Sequence, residues 1–205
     1  MKNIILILLI SVFVTACNNQ SNNSSSSTTS SSTAVDPSLA NYKLIDFPDS
    51  DFQKAFLYDG TGNIVEEGEV LNGQKTGTWI TYHNNGKLMA NTITNYVNGK
   101  KNGLYVFIND RNQMETIGYY LNDQQDGRWV SYKYTRRTTD KTYKNGKLNG
   151  FSRTFYDTGK DGQVQEESEW KNGVQDGIYR YYQEDGTMIM DYLYKDGQKV
   201  EGKAN

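Results

Sequence analysis

From residue 52 onward the chain alternates short runs of aromatic and β-branched residues with polar turn formers, and no long apolar pattern of 3.6-residue period appears there. Segments such as Trp79-Ile80-Thr81-Tyr82 and Tyr179-Arg180-Tyr181-Tyr182 suit a pleated, half-buried surface. Between the runs stand Asn72-Gly73, Asn98-Gly99, Asn145-Gly146, Asn172-Gly173 and Asp196-Gly197, with Asn122-Asp123 as a degenerate copy. These dipeptides favour two-residue hairpin turns in which both central residues have φ > 0. The pattern predicts antiparallel strands joined hairpin by hairpin.

The spacing is a repeat. The second members of the turns lie 26, 24, 23, 27 and 24 residues apart. Four residues after each comes another glycine, at Gly77, Gly103, Gly127, Gly150 and Gly177; the last copy has Glu201 there, with Gly202 one residue late. A glycine at that point permits a bulge or a close approach of backbones. Three residues before each turn's second member stand Tyr96, Tyr120, Tyr143, Trp170 and Tyr194, with Val70 in the first copy. Two residues after the second glycine come Trp79, Tyr105, Trp129 and Tyr179, and three further on Tyr82, Ile108, Tyr132, Phe155 and Tyr182. A second turn is marked by Gly86, Gly159 and Gly186, with Asn112 and Arg136 in the weaker copies. One hairpin is marginal in water, so stability must come from neighbouring repeats, as in a one-dimensional array. The expected fold is all-β: an extended twisted antiparallel sheet of about six consecutive hairpin repeats over residues 52–205. Phe52–Tyr58 and Ile64–Leu71 flank Asp59-Gly60 as a first hairpin, and residues 38–51, with Tyr42, Leu44, Ile45 and Phe47, form an N-terminal cap.

Composition sharpens this picture. The chain has 205 residues, a formal net charge of -2, 36% apolar residues, 16 Tyr and 19 Gly. Tyrosine replaces much of the usual aliphatic core, burying its ring while the hydroxyl stays wet. No basic excess exists to neutralise phosphates, so general nucleic-acid binding is not expected. One Cys excludes an internal disulfide, and one His excludes a multi-histidine metal site.

The first residues read as an address. Lys2 supplies a positive start, residues 4–14 are nearly all apolar, and the run ends in Val14-Thr15-Ala16-Cys17. That stretch is short of the roughly 20 residues a bilayer span needs. It resembles a bacterial lipoprotein signal. The resemblance implies cleavage after residue 16 and diacylglycerol on Cys17, which anchors the chain to the inner or outer membrane of the cell envelope. The plainer alternative is a secretory signal with a chance cysteine. Residues 17–37 are rich in Asn, Ser and Thr and read as a disordered tether. Its polar stretch reaches on the order of 24 Å r.m.s. as a flexible coil.

The register Tyr96-Val97-Asn98-Gly99 through Gly103 to Tyr105, and Trp170-Lys171-Asn172-Gly173 through Gly177 to Tyr179 and Tyr182, resembles the bacterial variant of the MORN (membrane occupation and recognition nexus) repeat. The resemblance covers residues 52–202. It implies interaction work: such arrays accompany or scaffold other proteins, some have been linked to lipids, and some bacterial members are labelled antitoxin-like. Loss of turn glycines over 109–112 and 133–141 implies irregular central repeats.

Other chemistry finds plainer readings. His83 lacks a Cys, His or Ser partner at useful spacing and flanks a turn. Glu66-Glu67 and Glu166-Glu167-Ser168-Glu169 suggest paired carboxylates, but equivalent strand positions make them solvated strand faces. Asp157, Asp161, Asp185 and Asp196 suggest calcium; the fragment 157–162 carries Lys160 and lacks further ligands, so turn chemistry is the better reading. Lys133, Arg136, Arg137 and Lys141 form a small basic loop patch. With signal, tether and repeats assigned, no span is left for a catalytic domain, and no cofactor is expected besides the lipid on Cys17.

The expected function is a membrane-anchored module that binds or scaffolds a protein partner, with toxin neutralisation as a special case. The candidate surface is Trp79, Tyr82, Tyr96, Tyr105, Tyr120, Trp129, Tyr132, Tyr143, Trp170, Tyr179, Tyr182 and Tyr194. The alternative is a glycan or cell-wall binding module that uses the same rings.

Overall fold

The computed structural model describes residues 35–158 and 162–204. The lipidation site Cys17, the signal, tether residues up to 34, and the turn residues Gly159, Lys160 and Asp161 lie outside the described residues. After a 3-10 turn at Pro37–Leu39 come fourteen strands: β1 (Lys43–Asp46), β2 (Phe52–Tyr58), β3 (Ile64–Leu71), β4 (Gln74–Tyr82), β5 (Ala90–Val97), β6 (Lys100–Ile108), β7 (Met114–Leu121), β8 (Gln124–Lys133), β9 (Arg136–Lys144), β10 (Lys147–Phe155), β11 (Val164–Lys171), β12 (Val174–Tyr182), β13 (Met188–Lys195) and β14 (Gln198–Ala204). They pair in sequence order, all antiparallel, as one open 14-stranded sheet. This is the all-β consecutive-hairpin architecture the periodicity predicts.

The turn chemistry explains the meander. Asn72 and Gly73 have φ of 52° and 72°, and Asn98-Gly99, Asn145-Gly146, Asn172-Gly173 and Asp196-Gly197 repeat that geometry. Asn122-Asp123 does so without glycine, at 49° and 67°, because short polar side chains tolerate the left-handed region. At each later glycine the register slips: Glu67 pairs with Ile80 but Glu69 with Thr76, and Thr94 with Tyr105 but Tyr96 with Lys101. These are the bulges the second glycine permits.

Some turns differ from expectation. In the first hairpin the left-handed residue is Gly62, not Gly60, because Asp59 accepts from the Thr61 and Asn63 amides and lengthens the loop. Between β8 and β9 the turn is Tyr134-Thr135, at φ 50° and 69°; Arg136 already begins the strand. Residues 35–37, expected in the tether, are held against the first repeat. Asp36 N–H donates to the Gly73 carbonyl at 2.9 Å, and its side chain caps the 3-10 turn.

Adjacent repeats are tied at their turns. The amide of the second turn residue donates to the preceding repeat: Gly99 to Lys75 O, Asp123 to Lys101 O, Gly146 to Gln125 O, Gly173 to Leu148 O and Gly197 to Gln175 O, at 2.8–2.9 Å. A lone hairpin lacks this bond, so each repeat's order depends on its neighbour.

Among the described residues the sheet is a single layer, so burial happens between side chains on the same face. The buried apolar residues are Leu39, Ala55, Val70, Trp79, Trp129, Val130 and Phe155. Leu39, Ala55, Val70 and Trp79 cluster where residues 35–42 cross the first repeat.

Candidate functional site

Strand pairing assigns the candidate rings to faces, since directly opposed residues share a face and successive residues alternate. Trp79 opposes Thr94, Thr94 opposes Tyr105, and Tyr105 opposes Gly118. Trp129 opposes Lys141, and the line continues through Ser152, Ser168 and Tyr179 to Tyr192. This aromatic face also carries Tyr96, Tyr120, Tyr143, Trp170 and Tyr194. Tyr82, Tyr132 and Tyr182 fall on the other face, near the opposite ends of their strands. The twelve candidates are therefore not one surface.

The opposite face has its own order. Ile80, Ile93, Val106, Ile117 and Val130 oppose one another strand by strand, and the same line continues as Asp140, Arg153, Glu167, Arg180, Asp191 and Lys203. An aliphatic ladder passes into a ladder of alternating charge. Arg128 grips Asp140 through Nε and Nη2 at 2.8 and 2.6 Å, Arg153 bonds Glu167, and Arg180 Nε donates to Asp191 at 3.0 Å. The guanidinium of Arg128 holds the Asp140 carboxyl below the usual carboxylate range.

Two of the expected contact residues are buried. Trp79 is 1% exposed and Trp129 8%. Each indole lies over a glycine of the neighbouring strand: a Cβ on Gly68 would fall 2.1 Å from Trp79, and one on Gly118 2.2 Å from Trp129. Both indole N–H groups donate to backbone at 3.0 Å, Trp79 to Glu69 O and Thr76 O, Trp129 to Tyr119 O. These tryptophans fill the sheet surface and expose little of their rings. Repeats with Thr94 or Ser168 in the glycine slot carry Tyr105 or Tyr179 in place of tryptophan.

At the N-terminal end the aromatic face is closed by the chain itself. Lys75 Nζ sits 3.9 Å from the Trp79 ring centre, 5.1 Å from Tyr42 and 5.5 Å from Tyr96, and 2.8 Å from Glu66 Oε1. Burial, with Glu66 nearby, pushes the Tyr96 hydroxyl up to about 12, and burial with a bond to Glu66 raises Tyr42 further.

The centre of the same face is open. Gln125 stands where Lys75 and Lys101 stand in earlier repeats. A groove of about 310 Å³ runs here, lined by Tyr105, Tyr120, Trp129, Tyr143 and Lys141 and, one row over, by Phe107, Thr116, Ser131 and Thr139. Tyr105 stacks on Trp129 with centroids 5.5 Å apart, and Tyr120 meets both edge-on at 5.6 and 5.1 Å. Burial raises the Tyr105, Tyr120 and Tyr143 hydroxyls above the ordinary tyrosine range. Sequence reasoning missed the hydroxyl line beside the rings, and missed Tyr192, which stacks on Tyr179 at 6.1 Å and 12°. Tyr192 stands in the slot that Gly68 and Gly118 hold elsewhere, a signal visible once the repeats are aligned.

The other candidate groups are occupied structurally. His83 Nε2 bonds Ile108 O at 2.9 Å, with Asn91 beside it. Glu66 and Glu67 point to opposite faces, bonded to Lys75 and to Tyr82, and are half-buried, not solvated. Glu167 pairs with Arg153, and Glu169 accepts from Ile178 N–H. Asp157 holds Lys133 at 2.5 Å, its carbonyl accepts from Arg136, and Arg137 lies 3.8 Å from Asp140. No cluster of three His, Cys, Asp or Glu side chains assembles among the described residues.

No protein-family model matches the chain, and no curated protein matches it.

Proposed function

We propose that this chain is an envelope lipoprotein, anchored through Cys17, whose aromatic face binds a protein partner. The observation that carries this reading is the central groove: half-buried tyrosines beside a line of threonines and serines, on a face that no second layer covers among the described residues. Tyrosine gives large contact area at low conformational cost and is enriched in protein interfaces. The opposite face is engaged in its own aliphatic and ionic ladders.

Burial of the indoles favours a protein over a glycan. Sugar platforms offer flat, exposed ring faces, whereas Trp79 and Trp129 are covered and Tyr105 is stacked on Trp129. What the groove offers is ring edges and hydroxyls.

A photo-crosslinking amino acid at Thr139, in the groove, and at Tyr119, 51% exposed on the other face, tests this in intact cells. Protein adducts from position 139 and none from 119 are expected. Adducts to cell-wall glycan, or protein adducts from 119 alone, would overturn the reading.

A further inference from the structure

We propose that β14 is a self-complementary edge through which two copies of this chain join their sheets. Among the described residues β14 pairs only with β13, and every residue of Gln198–Ala204 is exposed. Such an edge presents an unpaired row of backbone donors and acceptors, the template for adding another strand.

Its sequence says which strand fits. Around Gly202 the order is Val200, Glu201, Gly202, Lys203, Ala204. Run antiparallel against itself with Gly202 opposite Gly202, the segment sets Glu201 against Lys203 of the second copy and Lys203 against Glu201, within the regular stretch that follows the register slip at Val200. Acid meets base twice. A two-fold axis on Glu201 or on Lys203 would instead oppose like charges. Registers displaced by one residue would oppose side chains from different faces.

The faces also agree. Lys203 opposes Asp191 and Glu201 opposes Leu193, so both charges lie on the ladder face. A two-fold axis perpendicular to the sheet keeps each face on its own side. The line Arg180, Asp191, Lys203 then gains the second copy's Glu201 as its next acid, so the alternation continues across the junction. Gly202, at φ 124°, puts no side chain at the axis. At the other end β1 is only Lys43–Asp46, and its inverted order is centred between Leu44 and Ile45, so Lys43 would oppose an Asp46 from the other face.

Native mass spectrometry of the full chain, released from detergent, tests the pairing. The wild type is expected as a dimer. The E201K and K203E chains should each be monomeric, with the dissociation constant raised at least tenfold, because like charges then oppose at both contacts. Mixing E201K with K203E should restore a heterodimer, since one edge is then wholly basic and the other wholly acidic. The double variant E201K/K203E, which keeps the inverted symmetry, should dimerise alone. Circular dichroism checks that each chain keeps its sheet. A monomeric wild type, a dimeric E201K, or a mixture that stays monomeric would overturn the proposal.

Discussion

Gly68→Ala should unfold the first repeats, although it adds one methyl group. The new Cβ would lie 2.1, 2.3 and 2.5 Å from Cδ2, Cε2 and Cγ of Trp79. Comfortable carbon contacts begin at about 3.5 Å, so the indole must retreat by more than about 1 Å. Trp79 is 1% exposed and its N–H is bonded at 3.0 Å to both Glu69 O and Thr76 O. Overpacking costs about 1–3 kcal/mol, and a stranded buried donor about 1–3 more, which gives about 2–6 kcal/mol together. Urea unfolding followed by tryptophan fluorescence and circular dichroism reads this directly. Gly60→Ala is the control: its Cβ meets nothing within 4 Å and its φ is not positive, so a change within about 0.5 kcal/mol is expected. In a Trp79→Ala background the clash is gone, and G68A should then cost far less than alone. If G68A unfolds within about 0.5 kcal/mol of the parent, or its cost simply adds to that of W79A, the indole-over-glycine packing is refuted.

Thr135→Gly should stabilise by about 1 kcal/mol, because Thr135 and Tyr134 hold φ of 69° and 50° in a turn that suits glycine; a fall in the urea midpoint would contradict this. Arg153→Glu sets an acid between Asp140 and Glu167 and should cost about 1–2 kcal/mol, shrinking as salt is added; no loss at low salt would remove the charge ladder as a stabilising element. Burial and the Glu67 bond push Tyr82, and burial pushes Tyr96, from 10.0 to about 12. A raised folded-state pKa contributes stability fully present below pH 10 and lost as pH rises from about 10 to 12. Alkaline unfolding should therefore shift to higher pH in Y82F and Y96F, and an unchanged midpoint would speak against these shifts.

The sequence carried the hairpins because turns with φ > 0 leave a residue signature: Asn or Asp, then Gly, then a second glycine where the register slips. It carried less about the faces. Each bulge inserts residues opposite a single partner, as between Gly68 and residues 77–79, so alternation cannot be counted from one strand to the next along the chain. Tyr82, Tyr132 and Tyr182 are a different case: each stands three residues after Trp79, Trp129 or Tyr179 on one strand, so plain alternation already sets it on the opposite face. Trp79 and Trp129 read as contact residues because their cover, Gly68 and Gly118, sits eleven residues earlier with no local mark. The charge ladder was invisible for the same reason: Asp140, Arg153, Glu167 and Arg180 align only once the slips are known. Of the strap at residues 35–42 the sequence marked the part from 38 onward as a cap with Tyr42, whereas residues 35–37 have the composition of the tether and show no sign that they close the first repeat.

Hydroxyl-radical footprinting of tyrosines, in intact cells and on the purified chain, tests most directly whether the open aromatic face is the one that engages a partner. Labelling of Tyr105, Tyr120 and Tyr143 should drop in the cell, while Tyr119 on the ladder face labels equally in both. Equal labelling of the groove tyrosines, or protection of Tyr119 instead, would contradict it.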